Sequence, residues 1–465
     1  MKIEQHKEYA RLLPIWEKCR VTVEGDDSLK AWPRLTTVAP KLSSQTDTEY
    51  RAMVSRATLF GASGRTVDGM LGMVMRKEID TDGFPALMKP IIEDMTLALD
   101  SKLNLDDFAD LALYEDLVIG RVGYLIERPA VNTAGMTQAQ VTALNLRPYV
   151  AQYKAESIVD WRFDRVNNSA QLSMVRLTEC VEVWKSDVER VEVEQERRLL
   201  LINGVYLQRI YREDGKGTLI QQGDDIIPLM NGKPLDFIPF ICDFSITRPP
   251  ILDLVNTNLS HFRTDVDLEH GAHFTAIPTP MFAGFDFEEG SPFHLGAIGG
   301  HSAQNPDAKA WFLEFEGKGL DTLKDMKEDK KAQMSVLGAR FLDAEKAQAE
   351  ATDTLRIRKS GETSTLASIV QRRSRSLTRI LEIMRDWMGI TGDVTVQLNT
   401  DYSDTSLTPE QMTALFGMLQ GGAISQQTFF YNMKAGEMYE ADLTFEEEQG
   451  RIESQGLSLD STITE

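Results

Sequence analysis

Cysteine is scarce in this chain: three in 465 residues, Cys19, Cys180 and Cys242, far apart and forming no CxxC pair. That spacing excludes a disulfide framework and a structural zinc site of the usual kind, and leaves three reduced thiols. Long apolar runs are also missing; none approaches the roughly 18 residues needed to cross a bilayer. The opening MKIEQHKEYARLLPIWEKCR is amphipathic and charged, without the apolar core of a signal peptide. We therefore expect a protein made and kept in a cytosol. Catalytic signatures are absent too: no GxxxxGK[ST] phosphate loop, no GxSxG elbow and no HExxH. Gly61-Ala62-Ser63-Gly64 is a small-residue turn that lacks both the following lysine and the preceding strand of a phosphate cradle.

Positive charge is in deficit. Lys and Arg number 50 against 71 Asp and Glu, a formal net charge of −21. A regulator that grips duplex DNA neutralises phosphates with cations, so this balance has the wrong sign for one. It suits solubility, and it suits a surface past which DNA slides without sticking.

A chain this long divides into more than one core. Residues 1–105 read as mainly helical. One segment runs from Tyr50 to Met75, with interruptions near Gly61 and Gly64, and another from about Pro85 to Leu99. A third helix follows Asp106-Asp107 and gives way at Gly120-Arg121-Val122-Gly123 to a strand at Tyr124-Leu125-Ile126-Glu127. From about 130 to 248 the period changes to two, with strands expected near 149–153, 173–177, 199–202 and 206–211. Asn167-Asn168, Asp214-Gly215 and Asn231-Gly232 supply the turns. Pro249-Pro250 then starts a helix over about 251–274, which Pro278 and Pro280 stop. A strand at 310–315 and helices over about 320–337 and 344–388 follow. A helical C-terminal piece, 408–453, breaks at Gly421-Gly422.

Two patterns bear on chemistry. The helix carrying His261, Asp265, Glu269, His270 and His273 is the best metal candidate, because His270 and His273 are three apart and share a face. Polar side chains facing a neighbouring subunit explain the same residues, and no clustered Asp/Glu set for a metal-dependent hydrolase stands out. Charge segregation is more informative. From Arg356 to Arg385 there are eight basic residues and only Glu362 and Glu382; from Asp401 to Glu465 there are twelve acids against Lys434 and Arg451. The basic stretch reads either as a solvated, salt-bridged face or as a loose, sequence-independent contact with a polyanion. It holds no aromatic residues to stack bases, which disfavours single strands.

The order of elements resembles the portal proteins of tailed bacteriophages, in a podophage-like subgroup. The residues that carry the resemblance begin with Leu117 to Ile126, then Arg147-Pro148-Tyr149 and Glu156 to Arg162. They continue through Ile238-Pro239-Phe240, Pro249 to Leu254, Asn258 to Arg263, Pro278-Thr279-Pro280 and Gly421 to Ser425. The charged, Ala-rich 343–359 segment and a short tail depart from the family pattern. What the resemblance implies is an α+β, mainly helical portal fold, assembled as a ring of usually twelve subunits around a DNA-wide channel. It implies wing pieces at 1–105 and 276–405, paired stem helices at 106–128 and 249–275, and a β-rich clip at 129–248 between them. A tunnel loop would lie at about 339–362 and a small helical crown at 406–465. The implied role is non-enzymatic, with no catalytic residue, cofactor or metal: a conduit for double-stranded DNA in packaging, retention and ejection. Implied partners are further copies of the chain, the terminase large subunit, capsid protein and scaffold, and head–tail adaptor or tail proteins, but no membrane. The implied location is a capsid vertex of the virion, with the host cytoplasm during assembly. Lys346, Arg356, Arg358 and Lys359 are the candidates for meeting DNA at the tunnel loop. Asp253, Asp265, Asp267 and Glu269 are the acidic stem candidates. A metal-dependent nucleic-acid hydrolase built on the His261–His273 helix, and another phage capsid or tail-ring protein, are the alternatives.

Overall fold

The computed structural model describes residues 5–97, 102–129, 146–245, 248–276, 279–284, 305–313, 318–338, 352–400, 409–435 and 443–454, with a few isolated positions between them. Two compact units result, residues 1–400 and 401–465.

The first unit opens with α1 (Lys7–Glu24), α2 (Asp26–Ala31), α3 (Asp47–Arg56), α4 (Ala62–Val74), the single turn α5 (Lys89–Ile92) and α6 (Leu105–Val118). α1 buries Tyr9, Leu12, Trp16 and Cys19, the three- and four-residue spacing of one helical face. α3 starts at a full capping box: Thr46 accepts from the Glu49 N–H, and the Glu49 carboxylate accepts from the Thr46 N–H. The helix expected over 85–99 is much shorter. The Met95 N–H donates to the Leu103 carbonyl, and the Met95 carbonyl accepts from Val150, at 2.7 and 2.9 Å. Those strand-like bonds take the groups a longer helix would have used. α6 lies at the centre, with Phe108, Ala109, Ala112, Leu113 and Val118 fully covered by α1, α4, the strand β1 and a later helix.

The β module is larger than its sequence signals implied. β1 (Val122–Glu127) sits between β2 (Tyr149–Lys154) and β10 (Phe240–Cys242) in a three-stranded antiparallel sheet. β3 (Ile158–Val166), β4 (Ser169–Trp184), β5 (Arg190–Ile202), β6 (Val205–Glu213) and β7 (Leu219–Gln221) form a five-stranded meander, and β8 (Leu229–Met230) and β9 (Lys233–Pro234) a small hairpin. The Asn167-Asn168, Asn203-Gly204 and Asn231-Gly232 turns all have positive φ at both residues, the geometry that two-residue hairpins require. β4 and β5 run well beyond the strands expected at 173–177 and 199–202.

The Gly120-Arg121-Val122-Gly123 corner joins α6 to β1 and explains its own residues. Gly120, at φ 79°, ends α6 and returns its N–H to the Glu115 carbonyl at 3.1 Å. A Cβ on Gly123 would fall 2.3 Å from Phe240 Cζ and 2.8 Å from Ile158 Cδ1. The Arg121 guanidinium, 3 % exposed, lies 4.1 Å from the Trp161 ring and 5.5 Å from that of Trp16, and His6 stacks on the other face of Trp161 at 3.8 Å. These cation–π and stacking contacts tie the N-terminal segment to β3.

The last third of this unit holds α7 (Leu252–Ala276), β11 (Thr279–Ala283), β12 (Lys309–Leu313), α8 (Lys318–Val336) and α9 (Thr352–Met388). The second unit contains α10 (Pro409–Gln420), α11 (Gln426–Ala435) and α12 (Phe445–Ser454). There Phe430 is buried against Tyr439 and Phe445, and Lys434 donates to the Leu443 carbonyl at 2.9 Å. Helices and sheets are segregated along the chain, an α+β arrangement.

Replacing Gly123 by Ala should lower unfolding free energy by about 1–3 kcal/mol, the usual cost of overpacking. Gly72, in α4 with nothing near its missing Cβ, should gain about 0.5–1 kcal/mol on the same change. Urea midpoints of the two variants check both signs.

Candidate functional site

α8 lies along α7. α7 and α8 run antiparallel: Gly271 faces Leu320, Asp265 meets Lys327, and Lys330 reaches Ser260 and Thr264. A Cβ on Gly271 would come within 2.9 Å of Leu320 Cδ2, so this glycine permits close approach at the start of α8. α7 also packs on α1, α3 and α4, whereas α8 covers itself on one face only. Its half-buried or buried positions, Leu320, Leu323, Lys327, Lys330 and Met334, follow helical spacing. The opposite face is solvent-exposed and carries Asp321, Asp325, Glu328 and Asp329, with Lys324 paired to Asp321. The ends of α7 and α8 are linked through the β11–β12 ribbon, where Trp311 and Phe312 are about half exposed.

The four acidic candidates on α7 have different fates. Asp265 is buried, pairs with Lys327 and accepts from the Thr58 N–H at 2.9 Å, which ties α3 to α7. Asp253 is exposed and pairs with Arg248 at 2.6 Å. Asp267 and Glu269 are exposed on the helix surface. One of the four is therefore an internal counter-ion, and the acids of α8, which sequence reasoning passed over, form the more continuous outward face. The repeat of Leu320, Leu323, Lys327, Lys330 and Met334 was the signal that would have oriented that helix.

The histidines of α7 are not gathered into a ligand set. Among the described residues no three of His, Cys, Asp and Glu are close enough to hold a metal ion. His261 is buried with its ring 5.5 Å from Phe60, and burial together with Lys327 holds its pKa below the ordinary 6.5.

The basic stretch of α9 divides likewise. Arg373 is buried, pairs with Asp116 at 2.6 Å and lies 4.9 Å from the Tyr124 ring. Arg372 pairs with Asp243 at 2.9 Å, Arg379 with Glu382 at 2.8 Å and Arg385 with Asp386 at 2.7 Å. Arg372 and Arg373 therefore seat α9 on α6 and the end of β10, while Arg379 and Arg385 pair within α9. Arg356, Arg358 and Lys359 lie in the first turns of α9, their side chains outside the described residues, and Lys346 lies outside them altogether.

A family model described as a domain of unknown function (DUF4055) matches residues 250–388, from α7 through α9. No curated protein matches the chain. Among solved structures, a chain from the virion of a native gene transfer agent particle is 9 % identical, with a TM-score of 0.38, covering 85 % of this chain and 95 % of that one. One from the neck of an empty gene transfer agent particle, computed with C6 symmetry, is also 9 % identical, at 0.39 over the same shares. One from the neck of a native particle, computed with C12 symmetry, is 8 % identical, at 0.34, over 85 % and 96 %. Likenesses at these scores establish neither the fold nor the role of this chain.

Asp265→Ala should cost about 2 kcal/mol or more, because it strands Lys327 and the Thr58 N–H. Asp267→Asn and Glu269→Gln should stay within about 0.5 kcal/mol of the parent. Denaturant unfolding of the three variants separates the internal counter-ion from the surface acids.

Proposed function

We propose that this chain is the portal protein of a tailed bacteriophage, a ring at one capsid vertex through which double-stranded DNA is packaged, held and released. The observation that carries the reading is the α7–α8 pair. It is two antiparallel helices with an outward acidic face, linked by a small β ribbon and followed by the long α9. In this reading the stem is α7 with α8 and the ribbon at 279–313 is the clip. The larger β module then joins the helical N-terminal region in the wing. The segment between α8 and α9 is the tunnel loop, with Lys346, Arg356, Arg358 and Lys359 near it, and the second unit is the crown.

The mechanism is electrostatic rather than covalent. Twelve copies of a −21 chain carry on the order of −250 charges, which repel phosphate broadly. The acids of α8, facing the duplex, keep contacts with the DNA backbone weak. A few cations on the loop grip without trapping, since exposed pairs are worth roughly 0.2–1 kcal/mol each. The motor that hydrolyses ATP belongs to a separate terminase, with capsid, scaffold and tail proteins as the other partners.

Light scattering and negative-stain images of the purified protein should show a cyclic oligomer far above a dimer, with a central hole. A monomer at every concentration and salt would sink the proposal. Changing Asp321, Asp325, Glu328 and Asp329 together to Lys should leave the ring intact but retard DNA passage, and the defect should fade as salt rises. Packaging rates equal to the parent's at low salt would remove α8 from the channel wall.

A further inference from the structure

β4 and β5 outrun their neighbours. β3 pairs with β4 only as far as Leu177, and β6 with β5 only as far as Gln195. Beyond those points β4 and β5 pair only with each other, so residues 178–194 carry a two-stranded ribbon whose own cross-strand pairs run from Cys180–Glu194 to Trp184–Arg190. Isolated ribbons of this kind are marginal in water. This one is braced on one face by the cross-strand pairs Val181–Val193 and Val183–Val191, and at its base by Glu179, which accepts from Tyr153, Gln195 and Arg197. Its other face is costly when bare. Glu182 stands directly opposite Glu192, Glu194 follows, and Trp184 and Val188 near the tip are 62 % and 92 % exposed. Like charges directly opposite destabilise a strand pair, and Arg190 compensates only Glu182. An acidic, aromatic-tipped arm that repels itself when unpartnered is built to meet cations. Phosphate and anionic lipid are excluded by sign.

The same chain presents exposed cations where α3 ends against α7, with Asp267 among them. Arg56 at the end of α3 and Arg263 on α7 are exposed, and among the described residues neither forms an ion pair. Lys330, beside Arg263, spends its ammonium on the Ser260 carbonyl and the Thr264 hydroxyl rather than on a carboxylate. Burial and Arg263 push the Lys330 pKa down, against the opposing pull of Asp267. Burial, then Arg56 and His273, lower the His270 pKa, and Asp267 opposes them. His270 and Arg263 are seven residues apart on α7, about 10 Å along the axis. Glu192 and Glu194 span about 7 Å along β5. Phe60, half-buried, has Lys331 5.9 Å from its ring.

We propose that the ribbon 178–194 is an assembly arm. It docks on a second copy of this chain, its Glu182, Glu192 and Glu194 meeting Arg56 and Arg263 there, with Trp184 as the apolar anchor. The contact is heterologous, one patch against a different patch, as a closed ring requires. The assignment rests on the chain forming a ring, and the test separates the two ideas.

Full-length Glu182→Lys/Glu192→Lys, Arg56→Glu/Arg263→Glu and the four-fold combination are compared with the parent by native mass spectrometry over a dilution series. Far-ultraviolet circular dichroism checks that each is folded. Each charge-reversed pair should raise the concentration for half-assembly about tenfold, the sum of a few exposed pairs. The combination should recover most of that loss. Rings as stable as the parent's in the Glu182→Lys/Glu192→Lys protein, or no recovery in the combination, would overturn the arm while leaving the ring. A parent protein that never assembles overturns both.

Discussion

Two carboxylates that α6 carries into the core tie distant parts of the first unit together. Glu115 and Asp116 are adjacent and buried, and each is neutralised from a distant part of the chain. Arg20 of α1 places two nitrogens on Glu115 at 2.8 and 3.0 Å and spans to Glu156 as well. Arg373 of α9 pairs with Asp116. Removing one partner of a buried pair leaves an uncompensated charge at a cost of about 3–5 kcal/mol, so neither arginine can leave without the other elements being felt. The pairs do not have to add net stability to matter. They specify which helix lies against α6, and they bring residues 20, 115 and 373 into one place.

That constraint sets what the remaining elements can do. With α9 seated on α6 and β10, Arg372 and Arg373 are committed to Asp243 and Asp116. Arg375 and Arg379 stay on the exposed face of the helix. With α7 laid over α1, α3 and α4, Asp265 becomes a counter-ion for Lys327, and the free acidic surface passes to α8. Within the fold α7 is the more buried layer and α8 the outward one.

The β module shows a second kind of order. Glu127, Glu179, Arg197, Gln208 and Tyr153 form a hydrogen-bonded network that joins the three-stranded sheet to the meander. Burial raises the Glu179 carboxyl, but the charge and hydrogen bonds of Arg197, with Tyr153 and Gln195, outweigh it and hold the group below its ordinary 4.5. Its contribution is therefore full above that pH and is lost as acid takes the solution down through the lower folded value. A fully partnered network of this sort anchors the ribbon's base while its tip stays bare.

Local chemistry in the sequence determined a good deal by itself. Helical spacing and caps placed α3, α6, α7 and α8, and Asn-Gly and Asn-Asn pairs placed two of the hairpin turns, because these depend on nearest neighbours alone. The Val-Glu alternation at 181–184 and 191–194 also announced strands, and was legible there although the expected strands stopped short of it. Only the tertiary structure decided which charges were spent. Asp265 and Asp267 are two residues apart on one helix and chemically identical. One is buried against Lys327, sixty-two positions away, and the other faces water. No local pattern distinguishes them, because burial is fixed by which distant helix arrives to cover a face.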